Sequence, residues 1–491
     1  MLLKEILKNI DYEWIQGRNA DIDEIVIDSR KVGYGSLFIC LKGLRFDGHT
    51  FIAKSAESGA AAILIQDLQD RYPENTVIVK VPDTRKALAI CASNFFNNPY
   101  EDFNLIGITG TKGKTTTTYL LENILTQFKH KVGVIGTLGA KIGGQKLDIH
   151  YDTSTTPDPV ELQQILSAMR TEKVNDVVME VSSQALAFDK LEGVKFNIGV
   201  YTNLTQDHLD FHKTMENYMI AKAKLFTQCR HGVINADAYG SQYMLKQGVA
   251  DFITYSIDNP SDLRATDISY KENGVEFVVK IDGKATGNPT DSMEFFVPIK
   301  GRFTVYNALG VIGAALIMNI PPEIIKKGLA KVKGVPGRIQ DVPNDKNRHV
   351  IIDYAHSPDS LVNIINAVRE FTKGRVIVLF GCGGDRDSSK RPIMGKIAGE
   401  LADYCVITSD NPRGEDPISI IRMVEEGTKE TSCPYKIIPE RREAIFEAVK
   451  ILDETDTLIV AGKGHETYQI IGDTTVHFDD LEVAREALEL I

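Results

Sequence analysis

A glycine-rich loop between two ordered runs constrains the fold of this chain more than any other feature of its sequence. Residues 107–116 read GITGTKGKTT, after the apolar run 105–109 and before 115–127, where apolar residues recur with helical spacing. Glycines allow backbone N–H groups to approach phosphate oxygens, and the start of a helix adds partial positive charge. The sequence therefore predicts a strand, a phosphate-binding loop and a helix, in that order.

The residues of this loop predict a nucleotide as the ligand. Lys114 is placed to reach β- and γ-phosphates, and Thr115 is placed to ligate Mg²⁺. The pattern departs from GxxxxGK[ST], because Ile108 stands where the first glycine is expected. The strand–loop–helix context nevertheless favours ATP over a glycine turn with a solvated lysine. We expect the loop to bind ATP through Gly110, Thr111, Lys112, Gly113, Lys114, Thr115 and Thr116.

The rest of the chain alternates β-prone and helical runs, which is typical of α/β proteins with mostly parallel sheets. A length of 491 residues suggests roughly three domains. We expect boundaries near the Asn97-Asn98-Pro99 segment and near Gly334, which gives domains of residues 1–100, 101–333 and 334–491. Residues 262–300 instead resemble β-ribbons.

The predicted strands and helices can be placed by residue number. Strands are expected at 25–28, 36–40, 61–65, 77–81, 105–109, 132–136, 176–181, 197–202, 274–281, 350–353, 375–380, 403–408 and 457–461. Helices are expected at 84–96, 115–127, 360–371, 392–401, 418–426 and 442–452.

Composition excludes several classes of protein. The net charge of −11 argues against broad nucleic-acid or acidic-membrane binding. The sequence contains no run of about 18 apolar residues, so we expect no membrane span. The N-terminus lacks the features of a secretory signal. Six scattered cysteines without a CxxC pair argue for reduced thiols in a cytoplasmic protein and against a zinc site.

One lysine falls on an apolar helix face. In the helical run 218–226, Tyr218, Ala221, Lys222 and Leu225 share one face, and Lys224 lies off it. A lysine on an inward face is costly unless it is paired or modified. On the residues alone, a lysine that snorkels to water remains an alternative. We expect Lys224 to be solvated.

These motifs and others resemble the Mur ligases along nearly the whole chain. The first domain contains DSR (28–30), GSLF (35–38) and DGH (47–49), and the centre adds TTP (155–157), MEVSS (179–183), TNL (202–204) and DHLD (207–210). The third domain contains DYAHSPD (353–359), GDRD (384–387), DNPR (410–413) and GKGHE (462–466). With so many ordered matches, the chain is identified as a member of that family, of the tripeptide-synthetase or MurE type.

The resemblance implies an ATP-dependent amide ligase of bacterial cytoplasmic peptidoglycan synthesis, and hence of cell-wall biogenesis, cell shape and division. ATP would phosphorylate the D-glutamate carboxylate of UDP-MurNAc-L-Ala-D-Glu, and the amine of meso-diaminopimelate would displace phosphate from the acyl phosphate. The fold implied is an N-terminal α/β uridine-binding domain, a central P-loop-type domain with a mostly parallel sheet, and a C-terminal Rossmann-like domain that binds the amino acid and closes over ATP. A monomer is expected.

The resemblance also assigns the catalytic and metal-binding residues. Lys114, Glu180, His208 and Lys222 are implied as catalytic, and Thr115, Glu180, His208 and Lys222 as Mg²⁺ ligands. Taken by itself, a histidine such as His208 is more often structural. The family motif makes Lys222 a carbamylated lysine, N6-carboxylysine, so that the cation becomes an anionic oxygen ligand.

Further contacts are implied for ATP and for the UDP substrate. Asn307, Arg338, Tyr354 and His356 match positions around ATP, and Arg338 is a candidate clamp on the γ-phosphate. Ser29, His49, Thr155, Thr156, Ser182 and Lys190 match the UDP-substrate site. The chain departs from the usual family residues at Gln340, Thr304, Gln184 and Lys190. Structural roles remain alternatives for Tyr354 and Asn307.

The amino-acid site is implied in the third domain, by Arg386, Asp410, Asn411, Pro412, Arg413, Gly462 and Glu466. In this family the DNPR motif accompanies use of meso-diaminopimelate. The distal carboxylate of meso-diaminopimelate can accept two hydrogen bonds from the Arg413 guanidinium, and its distal ammonium can pair with Glu466. Lysine lacks that carboxylate, so discrimination can be large. A surface salt bridge is the alternative role for Arg413.

Other functions remain open at this point. A lysine-adding ligase, or another ligase of the Mur or folylpolyglutamate type, would keep most of these motifs. A kinase or NTPase switch would use the phosphate loop without needing Lys222 or a DNPR pocket. A catalytically silent, nucleotide-gated scaffold is disfavoured by intact Lys114, Glu180, His208 and Lys222.

Overall fold

The computed structural model describes residues 1–43, 46–149, 155–248, 251–271, 273–282 and 292–490. The chain divides into two compact units, Met1–Thr254 and Tyr255–Ile491. None of the helices within those ranges combines the length and apolar character that a bilayer span requires.

The first unit begins with a five-stranded sheet. Its strands are β1 (Glu13–Gln16), β2 (Glu24–Val26), β3 (Ser36–Ile39), β4 (Ala62–Ile65) and β5 (Val77–Lys80), in the order β1-β5-β4-β3-β2. Only the β1–β5 pair is antiparallel among these neighbours. The helices of this part are Leu3–Ile6, Ile52–Glu57 and Thr84–Phe95. The inner strands are apolar on both faces because helices cover a parallel sheet on each side.

A second, mostly parallel sheet of this unit positions the phosphate loop. It contains β6 (Asn104–Thr109), β7 (Val132–Gly136), β8 (Gly139–Ile142), β9 (Gln145–Lys146), β10 (Asp176–Glu180), β11 (Phe196–Tyr201) and β12 (Cys229–Asn235), in the order β12-β11-β6-β10-β7-β8-β9. Its helices are Lys114–Gln127, Pro159–Thr171, Ser183–Ala187, Leu209–His212, Met215–Ala223 and Ser241–Met244. In this register Glu180 lies beside Ile108 and Tyr201 beside Thr109, so three strands end together at the loop.

The second unit starts with antiparallel ribbons. Strand β13 (Asp251–Ser256) contains the boundary between the units, and its residue Tyr255 pairs with Leu263. Strands β14 (Leu263–Lys271), β15 (Gly274–Ile281) and β16 (Ser292–Val297) follow, each antiparallel to the next. The helices Arg302–Ile317 and Pro322–Ala330 come next.

A six-stranded sheet completes the second unit. Its strands are β17 (Gln340–Asp341), β18 (His349–Asp353), β19 (Val376–Phe380), β20 (Tyr404–Ile407), β21 (Tyr435–Ile437) and β22 (Thr457–Ala461), in the order β17-β18-β22-β19-β20-β21. All neighbours except β17 and β18 are parallel. The helices are Pro358–Arg369, Lys390–Leu401, Pro417–Thr428, Arg441–Lys450 and Asp480–Glu489, and strands β23 (Tyr468–Ile471) and β24 (Thr474–His477) form a separate hairpin.

The predicted α/β class is confirmed, and most element boundaries differ from the prediction by one or two residues. The strand at 132–136 matches Val132–Gly136, and the helix expected at 360–371 is Pro358–Arg369. The sequence did not predict β12 or the β23–β24 hairpin. Part of the expected ribbon region, residues 272 and 283–291, lies outside the described residues.

Candidate active site

The phosphate loop is a preformed structure between β6 and the helix Lys114–Gln127. At Gly110 a Cβ atom would lie 1.9 Å from Thr202 Oγ1, so only glycine fits there. Asn203 braces the loop, because its Oδ1 accepts from Lys112 N at 2.9 Å and its Nδ2 donates to Lys112 O at 3.0 Å. Lys114 Nζ donates to Gly110 O at 2.9 Å, which folds this cation back over the loop.

Glu180 lies at the end of β10 with its carboxylate against the first turn of that helix. Thr115 Oγ1 donates to Glu180 Oε2 at 3.0 Å, and Thr137 donates to the same carboxylate through Oγ1 and backbone N, each at 3.1 Å. Glu180 is 2% exposed. A buried carboxylate beside threonine hydroxyls is a set of hard oxygen donors, which fits the ligand preference of Mg²⁺.

Lys222 is buried on the helix Met215–Ala223, with Tyr218, Ala221 and Leu225 buried on the same face as the spacing predicts. Its Nζ donates to Gly110 O at 2.8 Å and lies 4.5 Å from the centroid of the Tyr218 ring. Burial, aided by the nearby Lys114 charge, holds the pKa of Lys222 well below its ordinary value. The alternative that Lys222 snorkels to water is therefore wrong.

Lys224 has a different environment from Lys222. Its Nζ pairs with Asp189 Oδ1 at 2.7 Å, and 40% of its side chain is exposed. The expectation of a solvated Lys224 is thus corrected to a half-exposed ion pair, because Asp189 lies within reach of it.

Two histidines follow β11 and lie near Tyr218. His208 is half-exposed at the start of the helix Leu209–His212, with its ring centroid 6.2 Å from that of Tyr218. Burial lowers the pKa of His208, and Asp207 opposes that shift. His212, which sequence reasoning missed, is buried with its Nε2 2.9 Å from Ser183 Oγ and its ring stacked on Tyr218. Burial lowers the pKa of His212 to about 4.

Three of the residues predicted for the UDP substrate lie around the end of β10. Thr156 Oγ1 donates to Glu180 O at 3.0 Å and accepts from Ser182 N at 2.9 Å. Thr155 and Thr137 hydroxyl oxygens are 3.3 Å apart. Lys190 forms an ion pair with Asp158. The structure therefore gathers Thr155, Thr156 and Ser182 around Glu180, while Lys190 has an acidic partner within the chain.

Ser29 and His49 lie apart from these residues, in the five-stranded part of the unit. His49 is buried, with Nδ1 2.6 Å from Asp47 Oδ1 and with Nε2 accepting from the backbone N of Gln66 at 3.0 Å. Both ring nitrogens are thus engaged within the chain, and His49 joins its own loop to the loop at Gln66. Ser29 is half-buried beside Asp28, whose pKa Arg30 lowers to about 2.

In the second unit, the residues predicted to contact ATP include a cluster around Tyr354. The Arg338 guanidinium lies 4.9 Å from the Tyr354 ring centroid, and His356 Nδ1 is 2.8 Å from Tyr354 O. Burial, with a contribution from Glu466, raises the pKa of Tyr354 to about 12. Asn307 is buried on the helix Arg302–Ile317.

The two departures from the family pattern in this unit have local explanations. Gln340 Oε1 accepts from Gly337 N at 2.7 Å, a contact that an amide or a carboxylate oxygen can make. Thr304 Oγ1 donates at 3.1 Å to Lys300 O, which lies just before the helix Arg302–Ile317. Both side chains therefore stabilise the backbone near residues predicted to bind ATP.

The residues predicted for the amino acid meet at the carboxyl ends of β19, β20 and β22. Asn411 Nδ2 donates to Glu466 Oε2 at 3.0 Å, and Tyr354 Oη donates to Glu466 Oε1 at 3.4 Å. Lys463, which is fully buried, donates to Asn411 Oδ1 at 3.3 Å. A Cβ atom at Gly462 would lie 2.6 Å from Asp410 Oδ2, so a larger residue would displace Asp410.

Arg413 lies at the edge of this cluster. Its Nη1 donates to Gly384 O at 2.9 Å, and a Cβ atom at Gly384 would lie 1.9 Å from Pro412 O. Arg386 lies on the same loop as Gly384, and its side chain is exposed. The contacts described for the Arg413 guanidinium are with backbone carbonyls, Gly384 O and, at 3.5 Å, Asn411 O.

Three segments of the chain match sequence models of a single family. Residues 21–96 match the Mur ligase family catalytic domain, residues 108–315 the Mur ligase middle domain, and residues 337–464 the Mur ligase glutamate ligase domain. The UDP-N-acetylmuramoyl-L-alanyl-D-glutamate–2,6-diaminopimelate ligase of Clostridium botulinum is 45% identical over 495 residues, covering 100% of both chains. The chain belongs to the Mur ligase family.

Other similar proteins support the same family membership. Ligase 2 of the same description from Clostridium acetobutylicum is 45% identical, covering 99% of this chain and 100% of its own. A solved ligase of that description is 30% identical with a TM-score of 0.69, covering 96% of this chain and 95% of its own. The MurF ligase of Thermotoga maritima, solved with ADP, is 18% identical with a TM-score of 0.59 over 95% and 97% of the chains, and supports the fold alone.

Membership confirms the predicted enzyme class, an ATP-dependent acid–amino-acid ligase, and the predicted three-domain α/β architecture. Sequence reasoning missed other residues that the structure brings to these sites, namely Thr137, His212, Lys463 and Gln469. Lys463 lies inside the GKGHE motif, which could have drawn attention to it. Thr137 lies just beyond the end of β7, and only the parallel register with β10 brings it to Glu180.

Proposed function

We propose that this Mur ligase joins meso-diaminopimelate to the D-glutamate of UDP-MurNAc-L-Ala-D-Glu in cytoplasmic peptidoglycan precursor synthesis. The carboxylate oxygen takes the γ-phosphate of ATP, ADP leaves, and the amine then attacks the acyl carbon and releases phosphate. The observation that carries this proposal is the full-length 45% identity to ligases of that description, in a chain whose phosphate-loop and DNPR residues are both intact.

The phosphate end of the reaction is assigned to the first unit. Residues 110–116 bind the phosphates, and the Lys114 ammonium stabilises the charge that builds up on them during transfer. The oxygens of Thr115 and Glu180, with His208 Nε2 or Nδ1, are the candidate Mg²⁺ ligands. When bound, Mg²⁺ neutralises the approaching phosphate and carboxylate.

Lys222 is assigned as a carbamylated ligand for a second Mg²⁺. Addition of CO₂ to lysine requires the neutral amine, and the burial that lowers the pKa of Lys222 supplies that form. The new N–C bond turns the amine into an anionic carbamate and releases one proton. Attraction between the carbamate anion and the Lys114 ammonium would then replace the repulsion between Lys114 and a charged, unmodified Lys222.

The remaining substrate contacts follow the same assignment. Asn307, Arg338, Tyr354 and His356 are proposed for ATP, and Ser29, His49, Thr155, Thr156, Ser182 and Lys190 for the UDP substrate. Because both ring nitrogens of His49 are engaged within the chain, we propose that His49 serves the UDP-substrate site by holding its loop in place and not by a direct contact. The domains are proposed as residues 1–100, 101–333 and 334–491, which bind the UDP substrate, ATP and the amino acid respectively.

Amino-acid choice is assigned to the cluster at the ends of β20 and β22. Arg413 forks onto the distal carboxylate of meso-diaminopimelate, and Glu466 pairs with its distal ammonium. Arg386, Asp410, Asn411, Pro412 and Gly462 complete that site. An arginine facing lysine would lose its anionic partner, which disfavours the lysine-adding alternative.

The test is phosphate release from ATP with UDP-MurNAc-L-Ala-D-Glu, comparing meso-diaminopimelate with L-lysine and identifying the product by mass. Turnover with meso-diaminopimelate alone is the expected result. Turnover with lysine instead would keep the ligase and overturn the role of Arg413. No turnover with either would overturn the proposed substrate pair.

A further inference from the structure

The DNPR loop is held in place by a strand that the reaction above does not use. Residues 410–413 lie against β23, the first strand of the hairpin. Three hydrogen bonds make the contact: Ile470 N donates to Asn411 Oδ1 at 3.0 Å, Arg413 N donates to Ile470 O at 3.0 Å, and Gly472 N donates to Arg413 O at 2.8 Å. The loop therefore pairs with the hairpin as an additional short strand.

Arg413 depends on this pairing because its backbone is strained. Its φ of 50° lies in the left-handed region, which is costly for a residue with a side chain. Hydrogen bonds to Ile470 O and from Gly472 N hold the peptide groups on both sides of its Cα atom. They thus fix the direction in which the Arg413 side chain leaves the loop.

Gln469 is the side chain that extends this clamp to the start of the loop. Its Nε2 donates to Asp410 O at 2.6 Å. The burial along β23 is the reverse of the usual pattern, because the polar Gln469 is 8% exposed while Tyr468 and Ile471 are 38% and 51% exposed. A buried amide beside exposed apolar neighbours indicates that its hydrogen bond, and not its contribution to a core, determines its place.

We propose that Gln469 is a positioning residue for amino-acid selection. It anchors Asp410 while the β23 backbone anchors Asn411 and Arg413, so that the guanidinium is presented in one orientation. The inference rests on the proposed function for the identity of the ligand, and on the observed contacts for the positioning itself. Without the amide donor, Asp410 O is left buried and unpaired, and the loop gains alternatives to the strained conformation of Arg413.

The experiment compares Gln469→Glu and Gln469→Met with Thr475→Ala, an exposed change on the same hairpin. Glutamate keeps the shape but sets an oxygen against Asp410 O, and methionine keeps the volume without a donor. In both Gln469 variants, KM for meso-diaminopimelate should rise about tenfold or more, with KM for ATP and for the UDP substrate unchanged. Preference for meso-diaminopimelate over L-lysine should fall, and Thr475→Ala should match the parent.

Hydrogen exchange supplies a readout that needs no turnover. The amides of Arg413 and Gly472 should exchange about tenfold or more faster in Gln469→Glu than in the parent. Unchanged exchange at these amides would overturn the positioning role. A uniform rise of all three KM values with a lower Tm would also overturn it, in favour of a general structural role. If the parent itself shows no turnover, the proposed function fails and the exchange result still decides the role of Gln469.

Discussion

Replacing Lys222 by methionine should make the protein more stable and nearly inactive. Lys114 Nζ and Lys222 Nζ both donate to Gly110 O, at 2.9 and 2.8 Å, so these nitrogens lie at most about 6 Å apart. At an effective dielectric constant of about 20, two unit charges at that distance repel by roughly 3 kcal/mol. If Lys222 is neutral instead, removing the proton from an ordinary lysine at pH 7.5 costs about 4 kcal/mol.

Some stabilising contacts of Lys222 offset that cost. The hydrogen bond to Gly110 O and the contact with the Tyr218 ring together contribute roughly 1–3 kcal/mol. Methionine fills a similar volume without a charge, so in CO₂-free buffer, where Lys222 is unmodified, the free energy of unfolding of Lys222→Met should rise by up to about 3 kcal/mol. Loss of the proposed carbamate ligand should lower kcat/KM at least about a hundredfold.

Urea unfolding followed by fluorescence measures the stability change, because the single tryptophan, Trp14, lies in the same unit as Lys222. Phosphate release measures activity, with and without bicarbonate. Lys224→Met is the matched control, since Lys224 is half-exposed and paired with Asp189. A Lys222→Met variant that lost stability would refute the reasoning from repulsion between Lys114 and Lys222. One that kept activity within about tenfold of the parent would refute the carbamate role.

Arg413→Lys should lower the preference for meso-diaminopimelate over L-lysine about tenfold or more in a competition assay read by mass, because lysine cannot fork onto a carboxylate. Glu180→Gln should raise the Mg²⁺ concentration for half-maximal activity about tenfold or more. Asp480→Asn should lower the free energy of unfolding by about 3–5 kcal/mol in urea, because Arg441 then keeps an unpaired buried charge. Burial lowers the pKa of His212 to about 4, so between pH 6.5 and 4 this histidine is protonated in the unfolded chain but not in the folded one. The free energy of unfolding should therefore fall as the pH falls through that window, and it should fall less in His212→Asn.

Periodicity predicted that Lys222 lies on the apolar face of its helix, although it left open a lysine that snorkels to water. Residues 218, 221, 222 and 225 share one face of any α-helix, so three apolar neighbours were enough to place the fourth residue on that face. The same spacing gives no information on what Nζ meets. Its contact with Gly110 O joins residues 112 positions apart, and only the order of the parallel strands brings them together.

The hairpin that clamps the DNPR loop was missed for a different reason. Gly472 and Asp473 separate two β-prone runs, which is a recognisable signal for a two-residue hairpin turn. The runs are short, and β24 is exposed throughout, so alternation of apolar residues is weak. The burial of Gln469 was beyond any such pattern, because it depends on pairing with a loop about sixty residues earlier.

Two lysines that share one carbonyl also couple the ligands that the site is proposed to bind. Conversion of Lys222 from cation to carbamate replaces its repulsion of Lys114 with an attraction of similar size, and so changes the field that a phosphate meets. Linkage then requires that nucleotide with Mg²⁺ strengthens CO₂ addition by the same factor by which CO₂ strengthens nucleotide binding. Nucleotide titrations with and without bicarbonate give one factor, and ¹³C NMR of the carbamate with and without nucleotide gives the other. Factors of about one in both experiments would show that the two lysines do not act on each other as their shared contact with Gly110 O implies.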